Sequence, residues 1–143
     1  MFSLSDKPIR VDQARSHLAD QGAGALVTFE GWVRDYNDGH SVKGLDYEVF
    51  KPLAEKEGNR ILAEALDSYS ILTATCVHRT GSLALGDLAV WVAVTAGHRD
   101  AAFGACRYII DEVKKRVPIW KKEHYADGDS GWVNADENHG AKL

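Results

Sequence analysis

The sequence predicts an α+β fold, and three observations carry that expectation. Segments alternating apolar and polar residues with a period of two are interspersed with segments whose apolar residues step by three and four. The strand-like segments fall in hairpin-like pairs interrupted by three helices, which argues against a regular strand-helix alternation and a doubly wound parallel sheet. The 143 residues contain no internal repeat and no obvious linker, so one domain spanning 1–143 is expected, its assignment resting on the residues up to about 134, with the tail from Trp132 too short to classify as helix or strand.

Asp12 is placed to cap a first helix running to about Gln21, with Ala14 and Leu18 on one face and Gly22 as its stop. Residues 25–34, Ala-Leu-Val-Thr-Phe-Glu-Gly-Trp-Val-Arg, are rich in β-formers and read as a strand that leaves Arg34 at its end. Residues 35–39 then have the chemistry of a turn. Leu45, Tyr47 and Val49 alternate with Asp46 and Glu48, the mark of a half-buried strand. Pro52 suits the first turn of a second helix running to about Ser68, with Ile61, Leu62, Ala65 and Leu66 at core spacing and Gly58 as a weak point. Residues 71–80 and 88–95 read as an antiparallel pair with Gly86-Asp87 in the connection. The third helix starts near Asp100 and presents Phe103, Cys106, Ile110, Val113 and Val117 along one face. Pro118 ends it, because proline lacks the amide donor and crowds the preceding turn. Residues 119–125 read as an edge strand, followed by a turn at 127–131.

Composition narrows the function. Apolar residues make up 45% of the chain, with four Trp and five Tyr, enough to offset chain entropy without covalent staples. A formal charge of -4 argues against a surface that tracks nucleic acid, so any basic site must be local. Cys76 and Cys106 sit in apolar stretches without the paired spacing of a zinc or redox motif and are expected as buried, reduced thiols. No segment approaches the roughly 20 apolar residues of a membrane span, and the N-terminus lacks an export core. A cytoplasmic protein with no membrane contact is the expectation.

The candidate chemistry is cationic. Lys114, Lys115, Arg116, Lys121 and Lys122 place five cations within nine positions, able to hold a phosphate or carboxylate, or merely to complement a helix C-terminus. Gly97-His98-Arg99-Asp100 lies where a strand hands over to the long helix. There it either converges on an anion, with His98 titrating near neutrality, or caps the helix through Asp100 beside an exposed His-Arg pair. His78, His98 and His124 lie on different elements without metal-ligand spacing, so no metal is expected. Walker loop, dinucleotide fingerprint and nucleophile elbow are all lacking.

Three segments then carry a resemblance. Phe29-Glu30-Gly31-Trp32-Val33-Arg34, Thr95-Ala96-Gly97-His98-Arg99 and Lys114-Lys115-Arg116-Val117-Pro118-Ile119-Trp120-Lys121-Lys122-Glu123 together resemble the molybdopterin synthase large-subunit (MoaE) family. Leu45-Asp46-Tyr47-Glu48, Val77-His78-Arg79-Thr80-Gly81 and Gly86-Asp87 extend the likeness over roughly residues 22 to 133. The resemblance implies an α/β-hammerhead-like fold with a mixed, largely antiparallel sheet, and a homodimer of large subunits. Each would bind a small ubiquitin-like sulfur-carrier subunit with a Gly-Gly thiocarboxylate tail, making a heterotetramer. It implies transfer of sulfur from that tail to two carbons of cyclic pyranopterin monophosphate, with no metal or cofactor. Lys114 and Lys121 would be catalytic. Substrate binding would fall to Trp32, Val33, Arg34, His98, Arg99, Lys114, Lys121, Lys122 and Glu123, with the His98-Arg99 pair reaching into a neighbouring protomer's site. On the strand 119–125, Lys121 and Glu123 share a side and Lys122 points away, so Glu123 can position the Lys121 ammonium. Asn134-Ala135-Asp136 departs from the family pattern by bringing an acid near the tail.

Overall fold

The computed structural model describes residues 1–135. Along them run β1 (Phe2–Ser5), α1 (Val11–Ser16), β2 (Ala25–Trp32), β3 (Tyr36–Asn37), β4 (His40–Val49), α2 (Lys51–Ser68) and β5 (Ile71–Arg79), followed by β6 (Gly81–Ala84), β7 (Leu88–Ala96), α3 (Arg99–Arg116), β8 (Ile119–Tyr125), β9 (Gly128–Asp129) and β10 (Val133–Asn134). Asp136 and the rest of the tail lie outside the described residues.

The strands form two sheets. One has the order β1-β5-β7-β2, with β1 parallel to β5 and the other pairs antiparallel. The other has the order β10-β8-β4-β3, with β6 joined to β4 and β9 to β8, all antiparallel. This is the α+β architecture that the mixed order of elements predicts, with three helices and mixed, largely antiparallel sheets.

Helices α2 and α3 pack against one another and cover one face of the first sheet. Apolar positions on that face, Cys76 on β5 and Val90, Val92 and Val94 on β7, meet Ile61, Leu62 and Ala65 of α2 and Ala105, Ile109 and Val113 of α3 in a single buried cluster. A smaller cluster of Val33, Leu45, Leu83 and Ala89 joins the second sheet to the end of the first. Cys76 and Cys106 are buried free thiols, and burial pushes their pKa values up to about 12 and about 11, which keeps them protonated.

Arg116 fastens the two long helices from outside the core. Its guanidinium donates to both carboxylate oxygens of Glu64 at 2.7 and 2.9 Å, to Glu57 at 2.8 Å and to Glu112 at 3.2 Å. Two of the five clustered cations are thereby accounted for as structure, since Lys115 also lies 4.0 Å from Glu112.

Several expectations are corrected by the fold. Helix α1 stops at Ser16 rather than near Gln21, and Asp12 lies in its first turn while Arg10 is the cap residue. It buries no residue, so packing gives it no reason to continue. The segment 35–39 is a β-hairpin turn with its own two-residue strand. Asp38 and Gly39 both take positive φ, the left-handed pair that a tight two-residue hairpin connection demands. The connection between β5 and β7 contains β6, whose pairing with the distant β4 leaves no local signal. Leu66 and Phe103 are 46% and 61% exposed, so each lies just off the buried stripe of its helix. Strand β8 is not an edge, because β4 takes one side and β9 and β10 take the other.

Gly58, the weak point of α2, has a reason in packing. A methyl group there would collide with the Phe2 ring, which is 2% exposed and wedged over the helix from β1. Gly58→Ala should therefore destabilise the protein. Overpacking costs about 1–3 kcal/mol, against a helix-propensity gain of about 1 kcal/mol. Chemical denaturation checks this, and a net gain in stability would show that the Phe2 ring moves aside freely.

Candidate active site

Where the two sheets meet the C-terminal end of α3, a cavity of about 400 Å³ opens. The end of β2 and the following residues supply Trp32, Val33 and Arg34; α3 supplies Ile110, Val113 and Lys114; and β8 supplies Ile119, Lys121 and Glu123. Tyr47 of β4, His78 of β5 and Asn37 of β3 complete the polar part of the wall. Pro118 is what makes this possible locally: it stops α3 just after Lys114 and turns the chain back as β8, so two lysines seven positions apart face one space.

The charged groups are held in a chain of contacts. Arg34 Nη2 donates to Asn37 Oδ1 at 2.9 Å, and Asn37 Nδ2 donates to Glu123 Oε1 at 2.8 Å. The Tyr125 hydroxyl donates to the same carboxylate oxygen at 2.8 Å, while Lys121 Nζ lies 3.8 Å from Glu123 Oε2. Glu123 is only 4% exposed, and a buried carboxylate is tolerated only when its oxygens are met in this way. Its backbone amide donates to Ser130 Oγ at 2.9 Å and its carbonyl accepts from the Ser130 amide at 3.0 Å, which ties the turn after β9 to the site.

Burial lowers the pKa of Lys121 from its ordinary value; Glu123 opposes the change, and the neighbouring Lys114 and Arg34 charges add to it. The result is an ammonium that gives up its proton more easily than a surface lysine. Tyr47 shows the reverse case, its hydroxyl pushed up to about 12 by burial and by Glu123.

The structure sorts the residues singled out by sequence. Trp32, Val33, Arg34, Lys114, Lys121 and Glu123 all line the cavity. Lys122 does not, because the alternation of β8 turns it to the outer face, where its Nζ sits 5.2 Å from the centre of the Trp132 ring. His98 and Arg99 are exposed at the far end of β7. Ala89 and Val90 of that strand line the cavity, so the pair lies roughly 25 Å away in the same chain at about 3.3 Å per residue. His98 is also the N-cap residue of α3, in place of Asp100, and makes no side-chain capping bond. Asn37, Tyr47, His78 and Tyr125 join the site without having been given roles from the sequence. The alternation of β4 carried a signal for Tyr47, and the Val77-His78-Arg79 motif carried one for His78. Asn37 sat in a segment read as a turn.

The outer face of β8 has its own titrating group. His124 Nε2 lies 3.0 Å from Asp46 Oδ2 and its Nδ1 lies 3.2 Å from Asp129 Oδ1, so both ring nitrogens face carboxylates. The hydrogen bond to Asp129, then that to Asp46, raises its pKa from 6.5. A raised folded-state value means the stabilisation is fully present below about 6.5 and is lost as pH rises through the folded value. The melting temperature of the unmodified protein should exceed that of His124→Gln most below about pH 6.5, and the difference should shrink as pH rises above that value. A pH-independent difference would remove the imidazolium from the account.

Comparison with known proteins follows the same lines. Residues 4–116 match the family model described as MoaE protein. A molybdopterin synthase catalytic subunit of Synechococcus elongatus is 45% identical over 133 residues, which is 92% of this chain and 81% of that one. The crystal structure of molybdopterin synthase from Staphylococcus aureus superposes with a TM-score of 0.85 at 37% identity, covering 91% of this chain and 94% of that one. A Helicobacter pylori structure, described as a complex of subunits 1 and 2 of molybdopterin-converting factor, shares the fold with a TM-score of 0.74 at 17% identity, covering 90% of this chain and 87% of that one.

Proposed function

The chain belongs to the MoaE family and is a sulfur-transferring enzyme of molybdopterin formation, and from that premise we propose that its cavity is where the transfer takes place. Sulfur leaves the C-terminal thiocarboxylate of a small ubiquitin-like carrier subunit and is placed on cyclic pyranopterin monophosphate, twice in succession. The observation that carries this reading is the convergence of Arg34, Lys114 and Lys121 on one cavity around the buried Glu123.

Each stage of such a reaction presents negative charge. The substrate has a phosphate, the donor tail ends in an anionic thiocarboxylate, and acyl transfer from that tail develops charge on oxygen. Fixed cations in a partly water-excluded space stabilise all three without reorganising. Arg34 is braced by Asn37 and suits an oxyanion or phosphate, with its planar fork of donors. Lys121, with its lowered pKa, serves as the proton-transfer group, and Glu123 positions it. Trp32 and Val33 form the apolar rim at the end of β2.

The partners follow from the same reading. A Gly-Gly tail is slim enough to enter a cavity of this size, and the Helicobacter protein of the same fold is described as a two-subunit complex. His98 and Arg99 are exposed and far from their own chain's cavity, which suits a homodimer in which each pair serves the neighbouring copy's site. Two carrier subunits then complete a heterotetramer. Lys122 lies on the outer face over the Trp132 ring and is set apart from the charged groups that meet the pterin. Among the described residues no helix is long and apolar enough to cross a membrane, and two protonated, unpaired thiols suit work in the cytoplasm.

The test mixes the purified chain with a thiocarboxylated carrier and cyclic pyranopterin monophosphate, and follows dithiolene pterin by fluorescence of its oxidised derivative and by mass spectrometry. Product that requires all three components is the expected result. No product in the presence of a demonstrated complex would overturn the reading.

A further inference from the structure

The part of the cavity wall contributed by β5 differs in chemistry from the cations around it. His78 lines the cavity and is 6% exposed. Its Nδ1 lies 2.8 Å from the carbonyl oxygen of Arg79. A carbonyl only accepts, so Nδ1 carries the hydrogen and Nε2, across the ring, keeps its lone pair. Burial, with a smaller effect of the nearby Lys114 charge, lowers the His78 pKa to about 4, so the ring is neutral at physiological pH. Tyr47 meets it edge to face, with centroids 4.9 Å apart and planes at 88°. The imidazole is thus fixed in tautomer by Arg79 and in orientation by Tyr47.

The surrounding polar groups make that lone pair useful. Arg34, Lys114 and Lys121 can only donate, while Asn37 Oδ1 and Glu123 Oε1 already accept hydrogen bonds. A ligand presenting only anionic oxygens would engage the cations and leave His78 Nε2 facing it unpaired. A ligand with an N–H on an apolar ring body, as well as an anionic group, would satisfy both sides. Val90, Ile110 and Val113 supply the apolar contacts for such a ring.

We propose that His78 is a substrate-binding residue whose Nε2 accepts a hydrogen bond from an N–H of the pterin heterocycle, fixing the orientation of the ring while the cations hold the phosphate and the thiocarboxylate. This rests on the functional reading above and deepens it by separating recognition of the ring from recognition of charge. Because His78 is only 6% exposed and what exposure it has opens on the cavity, an analogue lacking the N–H donor covers the acceptor without pairing it and binds less tightly.

Two substitutions separate this role from a structural one. His78→Asn retains an amide that can donate to the Arg79 carbonyl but places nothing at the Nε2 position, whereas His78→Gln reaches about that far. In the three-component assay, His78→Asn should raise KM for the pterin about 10-fold or more, the scale of a lost buried hydrogen bond. The maximal rate and the affinity for the carrier should change little, and His78→Gln should recover part of the KM. In the unmodified protein, the ¹⁵N resonance of His78 Nε2 should move on adding cyclic pyranopterin monophosphate while that of Nδ1 stays, a readout that does not depend on either variant folding. An unmoved Nε2 resonance at saturating pterin overturns the proposal. So does an unchanged KM in a folded His78→Asn, or an equal loss of rate and stability in both variants with KM unaltered. If the unmodified protein neither binds nor converts the pterin, the functional reading fails and this inference with it; turnover with an unaffected His78→Asn removes the inference alone.

Discussion

Lys121→Ala should lower sulfur transfer by roughly 10²- to 10⁴-fold, the contribution of a well-placed proton-transfer group, while leaving the carrier complex largely intact. The side chain lies in the cavity wall, 15% exposed, with its ammonium near Glu123 and the charges of Lys114 and Arg34 close by. Its depressed pKa gives the effect a pH signature. The fraction of free amine rises with pH at values below those of a solvent-exposed lysine, so the pH profile of kcat/KM should show a basic-side ionisation below 10.5. Lys121→Arg keeps the charge but should remove that ionisation, since guanidinium does not titrate in the accessible range. Steady-state rates across pH, with carrier affinity measured separately, check both. An unchanged rate in Lys121→Ala would take the lysine out of the chemistry, and a loss matched by failure to bind the carrier would make it a docking residue.

The second large effect is expected at Glu123. Glu123→Ala removes the acceptor for Asn37 and Tyr125 and the counter-charge of Lys121 at once. Breaking a buried charged arrangement from one side costs on the order of 3–5 kcal/mol. For a chain of this length that corresponds to a fall in melting temperature of roughly 10 °C or more. Glu123→Gln divides the effect into two parts. The amide oxygen still accepts from Asn37 and Tyr125, so most of the stability should survive. The negative charge that supports the Lys121 ammonium is gone, so the Lys121 ionisation should move to still lower pH. Thermal melts and pH-rate profiles of the two variants test this together. Equal melting temperatures for Glu123→Ala and the unmodified protein would show that the carboxylate is not what holds the wall in place.

What the sequence made legible was governed by local rules. The three-four stepping of α3 and the proline that ends it mark where Lys114 closes the helix and Lys121 enters the next strand, while their joint role came only from the family resemblance. Period-two alternation on β8 put Lys121 and Glu123 on one side and Lys122 on the other. The missing parts depend on contacts between distant residues. Strand β6 exists because β4 accepts it, and Asn37 is functional because Glu123, far away in the chain, lies within 2.8 Å. The charge cluster 114–122 was read as one unit, yet α3 gives Arg116 to the carboxylates of α2 and Lys114 to the cavity. Spacing cannot separate those fates without knowing where α2 packs. The exposure of Leu66 and Phe103 has the same origin, since helical periodicity defines a stripe but not its width.

Strand β8 carries the cavity's lysine and carboxylate on one side and Lys122, His124 and Trp120 on the other. A deletion of one residue within it, at constant composition elsewhere, would exchange the two sets beyond that point. The cavity would lose its ammonium and its anchor together, although no side chain had been chemically altered. Length is therefore as constrained as identity between Pro118 and Tyr125, and the two-residue turn at 126–127 shares the constraint, because it sets the register that brings Asp129 to His124 and Ser130 to Glu123. Family members should differ by insertions beyond Ser130 and not between Pro118 and Ser130, a pattern that can be sought in their lengths alone.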